Sequence, residues 1–159
     1  MDIFTVAFFG HRDFNAHRVC ERKMDNIIKE LINSKEYVDF IVGKNGEFDS
    51  FSASAVRRAK KECWSKNSSL ILCLPYVTAE YRNNTKFFDE YYDETEICTE
   101  AEEAYFKNAI GIRNRHMVER ADLIICYIEK ESGGAYSAVK YAKGKGIQVI
   151  NLAKNEGIR

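Results

Sequence analysis

The stretch that decides the fold is residues 113–134, with the sequence RNRHMVERADLIICYIEKESGG. A basic, helix-like segment comes first, an apolar run from Leu123 to Ile128 follows, and Ser132-Gly133-Gly134 then opens another helix-like segment. A short apolar run bounded by turn residues indicates a buried strand. This order places cations and free backbone N–H groups at one edge of a sheet, where a phosphate group is stabilised. The stretch therefore predicts an anion-binding site.

The rest of the chain repeats this alternation of apolar runs and amphipathic segments. Strands are predicted at 3–9, 38–42, 69–74, 122–128 and 147–152. Helices are predicted at 16–33, 50–64, 100–120 (with a break near Gly111) and 134–145. Alternating strands and helices indicate parallel strands joined by right-handed crossovers. We therefore expect one domain over residues 1–159, a three-layer α/β fold with a mainly parallel sheet of about five strands flanked by helices.

Residues 76–99 are the least regular part and are rich in Tyr, Asn, Asp and Glu. We treat them as an irregular insertion within the domain, in which a short strand or helix is also compatible with the sequence. One interpretation is a surface excursion whose aromatic side chains cover the sheet edge. The other is a lid or a partner-binding loop, because long connections inside compact domains are often functional.

Composition limits the possible partners and the cellular setting. The 159 residues are 45% hydrophobic and 30% charged, with a net formal charge of zero, which argues against general nucleic-acid binding. No apolar run approaches the roughly 18 residues of a membrane span, and the N-terminus lacks a signal-peptide pattern. Five cysteines without CxxC spacing indicate free thiols in a reducing cytoplasm. Three histidines without clustered cysteines predict no metal site, and we expect no cofactor.

Two further glycine turns follow predicted strands. Gly10-His11-Arg12 follows the first strand, and Gly43-Lys44-Asn45-Gly46 follows the second. The second turn is neither a P-loop nor the GxGxxG fingerprint. In parallel α/β sheets ligands bind at the carboxyl ends of the strands, so all three turns supply candidates. The predicted ligand-binding residues are Gly10, His11, Arg12, Gly43, Lys44, Gly46, Asp49, Arg113, Arg115, Ser132, Gly133, Gly134 and Ser137.

Taken in order, these motifs resemble the SLOG superfamily of Rossmann-like proteins, and in particular its small YpsA-like branch. Residues 10–12 resemble the opening motif of that branch, and residues 113–125 resemble its RNRxMVDxxDxLIA segment. Residues 132–146 resemble its GGTxxTVxYAKxKG ending. The resemblance spans most of the chain except residues 76–99.

The resemblance implies a Rossmann-like fold and a nucleotide or nucleotide-sugar site. Some members of the superfamily are phosphoribohydrolases of the LOG type. Others, including domains of antiphage systems in bacteria, sense signals of the cyclic ADP-ribose type, and the DprA branch binds DNA. The superfamily often assembles as dimers, so a homo-oligomer is expected.

The chain departs from the phosphoribohydrolase motif PGGxGTxxE at its catalytic position. In register, Ser132-Gly133-Gly134 covers PGG, Ser137 stands at the threonine and Lys140 at the glutamate. Arg115 corresponds to the arginine that those enzymes use near the phosphate. Cleavage of an N-glycosidic bond needs a group that stabilises positive charge or activates water. The catalytic role is therefore unassigned, with the candidates Glu47, Asp49 and Glu129.

Three functions stay open at this point. The leading hypothesis is a sensor or sequestering protein that binds a nucleotide or an ADP-ribose-like ligand, with no turnover. The second is an N-glycoside hydrolase or transferase acting on nucleoside 5′-monophosphates. The third is an interaction protein with a vestigial site. The expected partner is a phosphorylated nucleotide, with no membrane and no general nucleic-acid binding.

Overall fold

A computed structural model of the chain describes residues 1–154, and in these residues six strands form a single sheet. The strands are β1 (Ile3–Gly10), β2 (Tyr37–Val42), β3 (Ser68–Leu74), β4 (Glu94–Ile97), β5 (Leu123–Tyr127) and β6 (Gln148–Asn151). Their order is β4-β3-β2-β1-β5-β6, and every neighbouring pair is parallel. The direction of progression reverses between β1 and β5, and such a switch point is where open α/β sheets bind their ligands.

Helices cover both faces of the sheet. They are α1 (His17–Ser34), α2 (Glu47–Glu62), α3 (Ala79–Asn83), α4 (Thr85–Tyr91), α5 (Thr99–Glu102), α6 (Phe106–Arg120) and α7 (Gly134–Gly144). One apolar cluster joins α1 and α2 to one sheet face, and a second joins α6 and α7 to the other. The predicted α/β architecture, with a parallel sheet flanked by helices, is confirmed.

The structure corrects the number of strands and several helix boundaries. A sixth strand, β4, lies at the sheet edge within residues 76–99, where Glu94 and Glu96 hide the usual apolar alternation. Nη1 of Arg120 in α6 donates a hydrogen bond to Oε1 of Glu96 at 2.5 Å, and this contact accommodates a charged residue on the strand. Helix α2 begins three residues earlier than predicted, at Glu47. The helix predicted at 100–120 is broken at residues 103–105 and continues through Gly111.

Two of the helices in residues 76–99 are short, and both connect β3 to β4. Thr78 begins the first of them, because its hydroxyl accepts a hydrogen bond from the Tyr81 backbone N–H at 3.1 Å. Phe88 of α4 is buried in the same apolar cluster as α2. Within residues 1–154, no helix combines the length and the apolar character that crossing a membrane requires.

Candidate functional site

A cavity of about 300 Å³ opens at the carboxyl ends of the strands, beside the switch point between β1 and β5. We call it the switch-point pocket. Its walls are formed by the turn after β1, the turn after β2, one face of α6 and the beginning of α7. Its lining residues are Phe9, Gly10, His11, Arg12, Asn45, Gly46, Asp49, Ile110, Arg113, Asn114, Gly133, Gly134 and Ala135.

Arg113 forms the floor of the pocket and is only 3% exposed. Its Nη1 donates to the Cys73 carbonyl at 3.0 Å, its Nη2 to Asn45 Oδ1 at 2.6 Å, and its Nε to Asn114 Oδ1 at 3.0 Å. The guanidinium therefore ties together α6, the end of β3 and the turn after β2. Burial lowers the pKa of Arg113, against the opposing effect of the nearby Asp49 charge.

Asp49 is the carboxylate that lines the floor beside Arg113. Its Oδ2 accepts a hydrogen bond from the Asn45 backbone N–H at 2.8 Å, which closes the turn before α2. Burial raises the pKa of this carboxyl, while the Asn45 N–H and the Arg113 charge act in the opposite direction. A carboxyl with a raised pKa in a cavity is a recurrent feature of sites that exchange protons.

The beginning of α7 forms one wall of the pocket. Gly133, at the N-cap position, has φ 95° and ψ 173°, a conformation that essentially only glycine adopts without strain. No side chain caps this helix, and Gly133, Gly134 and Ala135 all line the pocket. The first N–H groups of a helix lack intrahelical acceptors and carry partial positive charge. This wall can therefore donate hydrogen bonds to an anion.

Arg12 stands at the mouth of the pocket with an exposed side chain. Its backbone carbonyl accepts a hydrogen bond from the Glu47 N–H at 2.9 Å, so the base of the side chain is fixed on α2. Within residues 1–154 its guanidinium makes no ion pair with a carboxylate. Arg12 is therefore a positioned cation that is available to a ligand.

His11 fixes the geometry of the loop between β5 and α7. Its Nε2 accepts hydrogen bonds from the backbone N–H groups of Glu129 at 3.0 Å and Lys130 at 3.1 Å. The Nε2 atom is therefore unprotonated in this arrangement. The contact joins the turn after β1 to the loop that leads into α7.

Gly10 is required by packing rather than by an unusual backbone. It is the last residue of β1, and a Cβ atom placed there would lie 2.2 Å from Cγ of Phe48. The Phe48 ring is fully buried in the core. This close approach lets α2 bring Asp49 to the pocket.

Eight of the predicted ligand-binding residues line the switch-point pocket. They are Gly10, His11, Arg12, Gly46, Asp49, Arg113, Gly133 and Gly134. The other five predicted positions, which do not line it, are Gly43, Lys44, Arg115, Ser132 and Ser137.

Two predicted cations have protein partners instead. Lys44 lies 3.4 Å from the Glu80 carboxylate and packs near the Phe88 ring. Arg115 lies with its guanidinium carbon 4.9 Å from the centre of the Tyr141 ring on α7. Arg113 and Arg115 are two positions apart on a helix, so they project in different directions.

The three candidate catalytic residues are also separated. Asp49 lies in the pocket, whereas Glu47 is exposed in the first turn of α2 and does not line it. Glu129 is exposed, and its carboxylate accepts a hydrogen bond from the Tyr127 hydroxyl. Lys140, at the position of the glutamate in the resembling motif, is exposed on α7 outside the pocket.

Sequence reasoning missed the lining residues Phe9, Asn45, Ile110, Asn114 and Ala135. Spacing offered a signal for two of them, because Ile110 and Asn114 are four residues apart and share a face of α6 with Arg113. Asn45 lies inside the glycine turn after β2. Its contribution, a side-chain oxygen for Arg113, depends on a contact between residues 68 positions apart.

No protein-family model and no curated protein matches the chain. Solved structures of DNA processing protein A (DprA) do match it. The protein from Streptococcus pneumoniae superposes with a TM-score of 0.66 at 16% identity, over 98% of this chain and 53% of that one. The protein from Helicobacter pylori gives a TM-score of 0.62 at 14% identity, over 92% of this chain and 63% of that one. At these identities the match establishes a shared Rossmann-like fold, and the chain spans between half and two thirds of those proteins.

This comparison overturns the expectation of no general nucleic-acid binding, which was wrong. The Helicobacter pylori protein binds single-stranded DNA, and it has the fold of this chain. The net formal charge of the whole chain is zero, but it says nothing about how the charges are distributed. Binding depends on the local arrangement of charge instead, and a neutral chain can still carry a cationic site.

Proposed function

We propose that the switch-point pocket binds the phosphate group of a nucleotide or an ADP-ribose-like ligand, as a sensor or a sequestering protein. One observation carries the proposal: the uncapped beginning of α7, Arg12 and Asn114 all line one cavity, and Arg12 pairs with no carboxylate of residues 1–154. Phosphate binding at helix N-termini follows from their free N–H groups and their dipole.

The motif resemblance supports the same reading of the site. We propose that the chain is a single domain of the SLOG type, close to the YpsA-like branch and related to the LOG phosphoribohydrolases. Lys140 stands where those enzymes carry their glutamate, which favours binding without turnover. Residues 76–99 are then an insertion between β3 and the helices that lead to the site.

Binding is tested by isothermal titration calorimetry and by thermal shifts with a panel of four nucleoside 5′-monophosphates and ADP-ribose. A ligand present at 100 times its Kd raises the free energy of unfolding by about 2.7 kcal/mol. Arg12→Ala should weaken binding by about tenfold or more, because a hydrogen bond to a charged group contributes roughly 1.5–3 kcal/mol. Arg22→Ala, an exposed arginine on α1, is the matched control and should bind as the wild type does.

The same incubations distinguish the N-glycosidase alternative. Asp49 lies in the pocket with a pKa raised by burial, so it is the carboxyl group best positioned to act there as an acid or a base. Chromatography of the incubated nucleotides measures free base. Release of base by the wild type and its loss in Asp49→Asn would replace the binding proposal with the enzymatic one.

Single-stranded DNA is a second candidate ligand, favoured by the fold shared with the Helicobacter pylori protein. Titration with oligothymidylate of varied length and salt concentration tests it. Binding to n phosphates gives a slope of log K against log salt of about −0.7n for a single strand. Tight binding of the oligonucleotide, with no binding of free nucleotides, would favour DNA. Absence of binding to every ligand would overturn both proposals and favour an interaction protein with a vestigial site.

A further inference from the structure

An aromatic pair with one exposed ring lies beside the switch-point pocket. Tyr76 follows β3, and its ring centroid is 5.5 Å from that of Phe106, the first residue of α6. Phe106 is 73% exposed, whereas Tyr76 is partly buried and packs against the core. We call these two residues the aromatic step. One of its rings is held by the core and the other is open to solvent.

A stripe along α6 connects the aromatic step to the pocket. Phe106, Ile110 and Asn114 are spaced by four residues, so they follow one another on one face of the helix, with about 5–6 Å between successive Cβ atoms. Ile110 and Asn114 line the pocket. Phe106 therefore lies one helical turn from Ile110, which is an apolar residue of the pocket lining.

We propose that the aromatic step stacks on the nucleobase of the ligand whose phosphate lies in the switch-point pocket. This inference rests on the proposed function, since the phosphate fixes where the base can reach. Aromatic side chains stack on any base because every base has a π-face. The chemical class is therefore a phosphorylated nucleoside, with its sugar alongside Ile110, and either a purine or a pyrimidine fits.

The experiment compares ligands that contain a base with a ligand that lacks one. Calorimetry gives the Kd of AMP, UMP and ribose 5-phosphate for the wild type, Phe106→Ala and Phe106→Trp. Phe106→Ala should weaken both nucleotides by about 5- to 100-fold and leave ribose 5-phosphate unchanged. Phe106→Trp should retain nucleotide binding, because the indole also stacks.

Two variants serve as matched controls. Tyr105 is 84% exposed and adjacent to Phe106, yet in residues 1–154 its ring contacts no other aromatic side chain. Trp64 is 89% exposed at the end of α2, away from the pocket lining. Tyr105→Ala and Trp64→Ala should both bind all three ligands as the wild type does.

The results separate this inference from the function on which it rests. If Arg12→Ala weakens every ligand while Phe106→Ala weakens none, the phosphate site stands and the aromatic step is refuted. Equal weakening of ribose 5-phosphate by Phe106→Ala would also refute it, because the effect would then be structural. A change of oligomeric state in Phe106→Ala, without a change in affinity, would assign the step to protein contact and overturn the proposal. If the wild type binds no ligand, the proposed function fails and the inference fails with it.

A further comparison distinguishes the source of the base. Oligothymidylate with and without a 5′-phosphate is titrated against the same variants. A loss of affinity in Phe106→Ala that is confined to the 5′-phosphorylated strand assigns the base to a strand end. A loss confined to the free nucleotides assigns it to a small molecule. Equal affinity of wild type and Phe106→Ala for all these ligands would contradict the proposal.

Discussion

The floor and the rim of the switch-point pocket use similar chemistry in opposite ways. At the floor, Arg113 is buried and gives three hydrogen bonds to the protein itself. At the rim, Arg12 is exposed and pairs with no carboxylate of residues 1–154, and the amides of α7 are uncapped. The number of arginines near a glycine loop therefore does not measure its capacity for anions. That capacity depends on the number of hydrogen-bond donors that have no protein partner.

The largest effect on stability should come from replacing Arg113 at the floor of the pocket. Arg113→Met removes a buried cation and leaves Asn45 Oδ1, the Cys73 carbonyl and the nearby Asp49 charge without their partner. We expect the free energy of unfolding to fall by about 3–5 kcal/mol, measured by urea denaturation. Arg12→Met, the matched change at the rim, should alter it by no more than about 0.5 kcal/mol. A loss below about 1 kcal/mol in Arg113→Met would contradict the structural role of the floor.

The next effect concerns the backbone of the rim. Gly133→Ala forces an alanine into φ 95°, ψ 173°, which costs about 1–3 kcal/mol in the free energy of unfolding. The control is Gly111→Ala, in an exposed position of α6 where a Cβ atom meets nothing within 4 Å. That substitution should raise the free energy of unfolding by about 0.5–1 kcal/mol, because alanine favours a helix interior. Equal effects of the two substitutions would show that Gly133 has no special backbone role.

A smaller, pH-dependent effect distinguishes Asp49 from the groups around it. Because burial raises the pKa of its carboxyl, the folded state holds a proton that the unfolded chain has already released. The free energy of unfolding therefore decreases as pH rises from the ordinary aspartate value through the raised one. Asp49→Asn removes this dependence, so the stability of the wild type relative to the variant should fall over that range. Urea titrations from about pH 4 upward measure it, and parallel pH profiles would argue against a raised pKa.

The smallest effect is expected at Arg115, which the motif resemblance places near the phosphate. The structure has its guanidinium against the Tyr141 ring, outside the pocket lining. Arg115→Ala should change stability by about 0.5–1 kcal/mol, the size of an exposed cation–π contact. Its affinity for nucleoside monophosphates in calorimetry should stay within about twofold of the wild type. A tenfold loss of affinity would show that Arg115 contributes to the site, and the distinction between floor and rim would then not hold.

The sequence contained most of the fold because apolar runs and glycine turns mark buried parallel strands directly. The runs at β1, β2, β3 and β5 are apolar enough to be recognised without any knowledge of their neighbours. Strand β4 escaped recognition because its Glu94 and Glu96 are tolerated only at an edge, next to a cation from α6. Such tolerance is a tertiary property, so no local pattern shows it.

The site was harder to predict than the fold. Its glycine turns, Asp49 and Arg12 follow from their places at strand ends, but the roles of the arginines on α6 do not. Arg113 and Arg115 belong to the same motif. Only the rotation of α6 about its own axis, relative to the sheet, directs Arg113 into the pocket and Arg115 toward α7. This rotation is set by the packing of α6 against the end of β3, and the residues in contact there lie about 40 positions apart in the sequence.

The hydrogen bonds of Arg113 also bear on the rigidity of the pocket. Because one guanidinium joins α6, the end of β3 and the turn after β2, no single one of these segments can detach without exposing a buried cation. Separation of these segments is therefore costly, and amide hydrogens on the floor should exchange with solvent more slowly than those of the exposed loops. The cavity is therefore preformed in the folded chain, and contacts within the protein fix its floor.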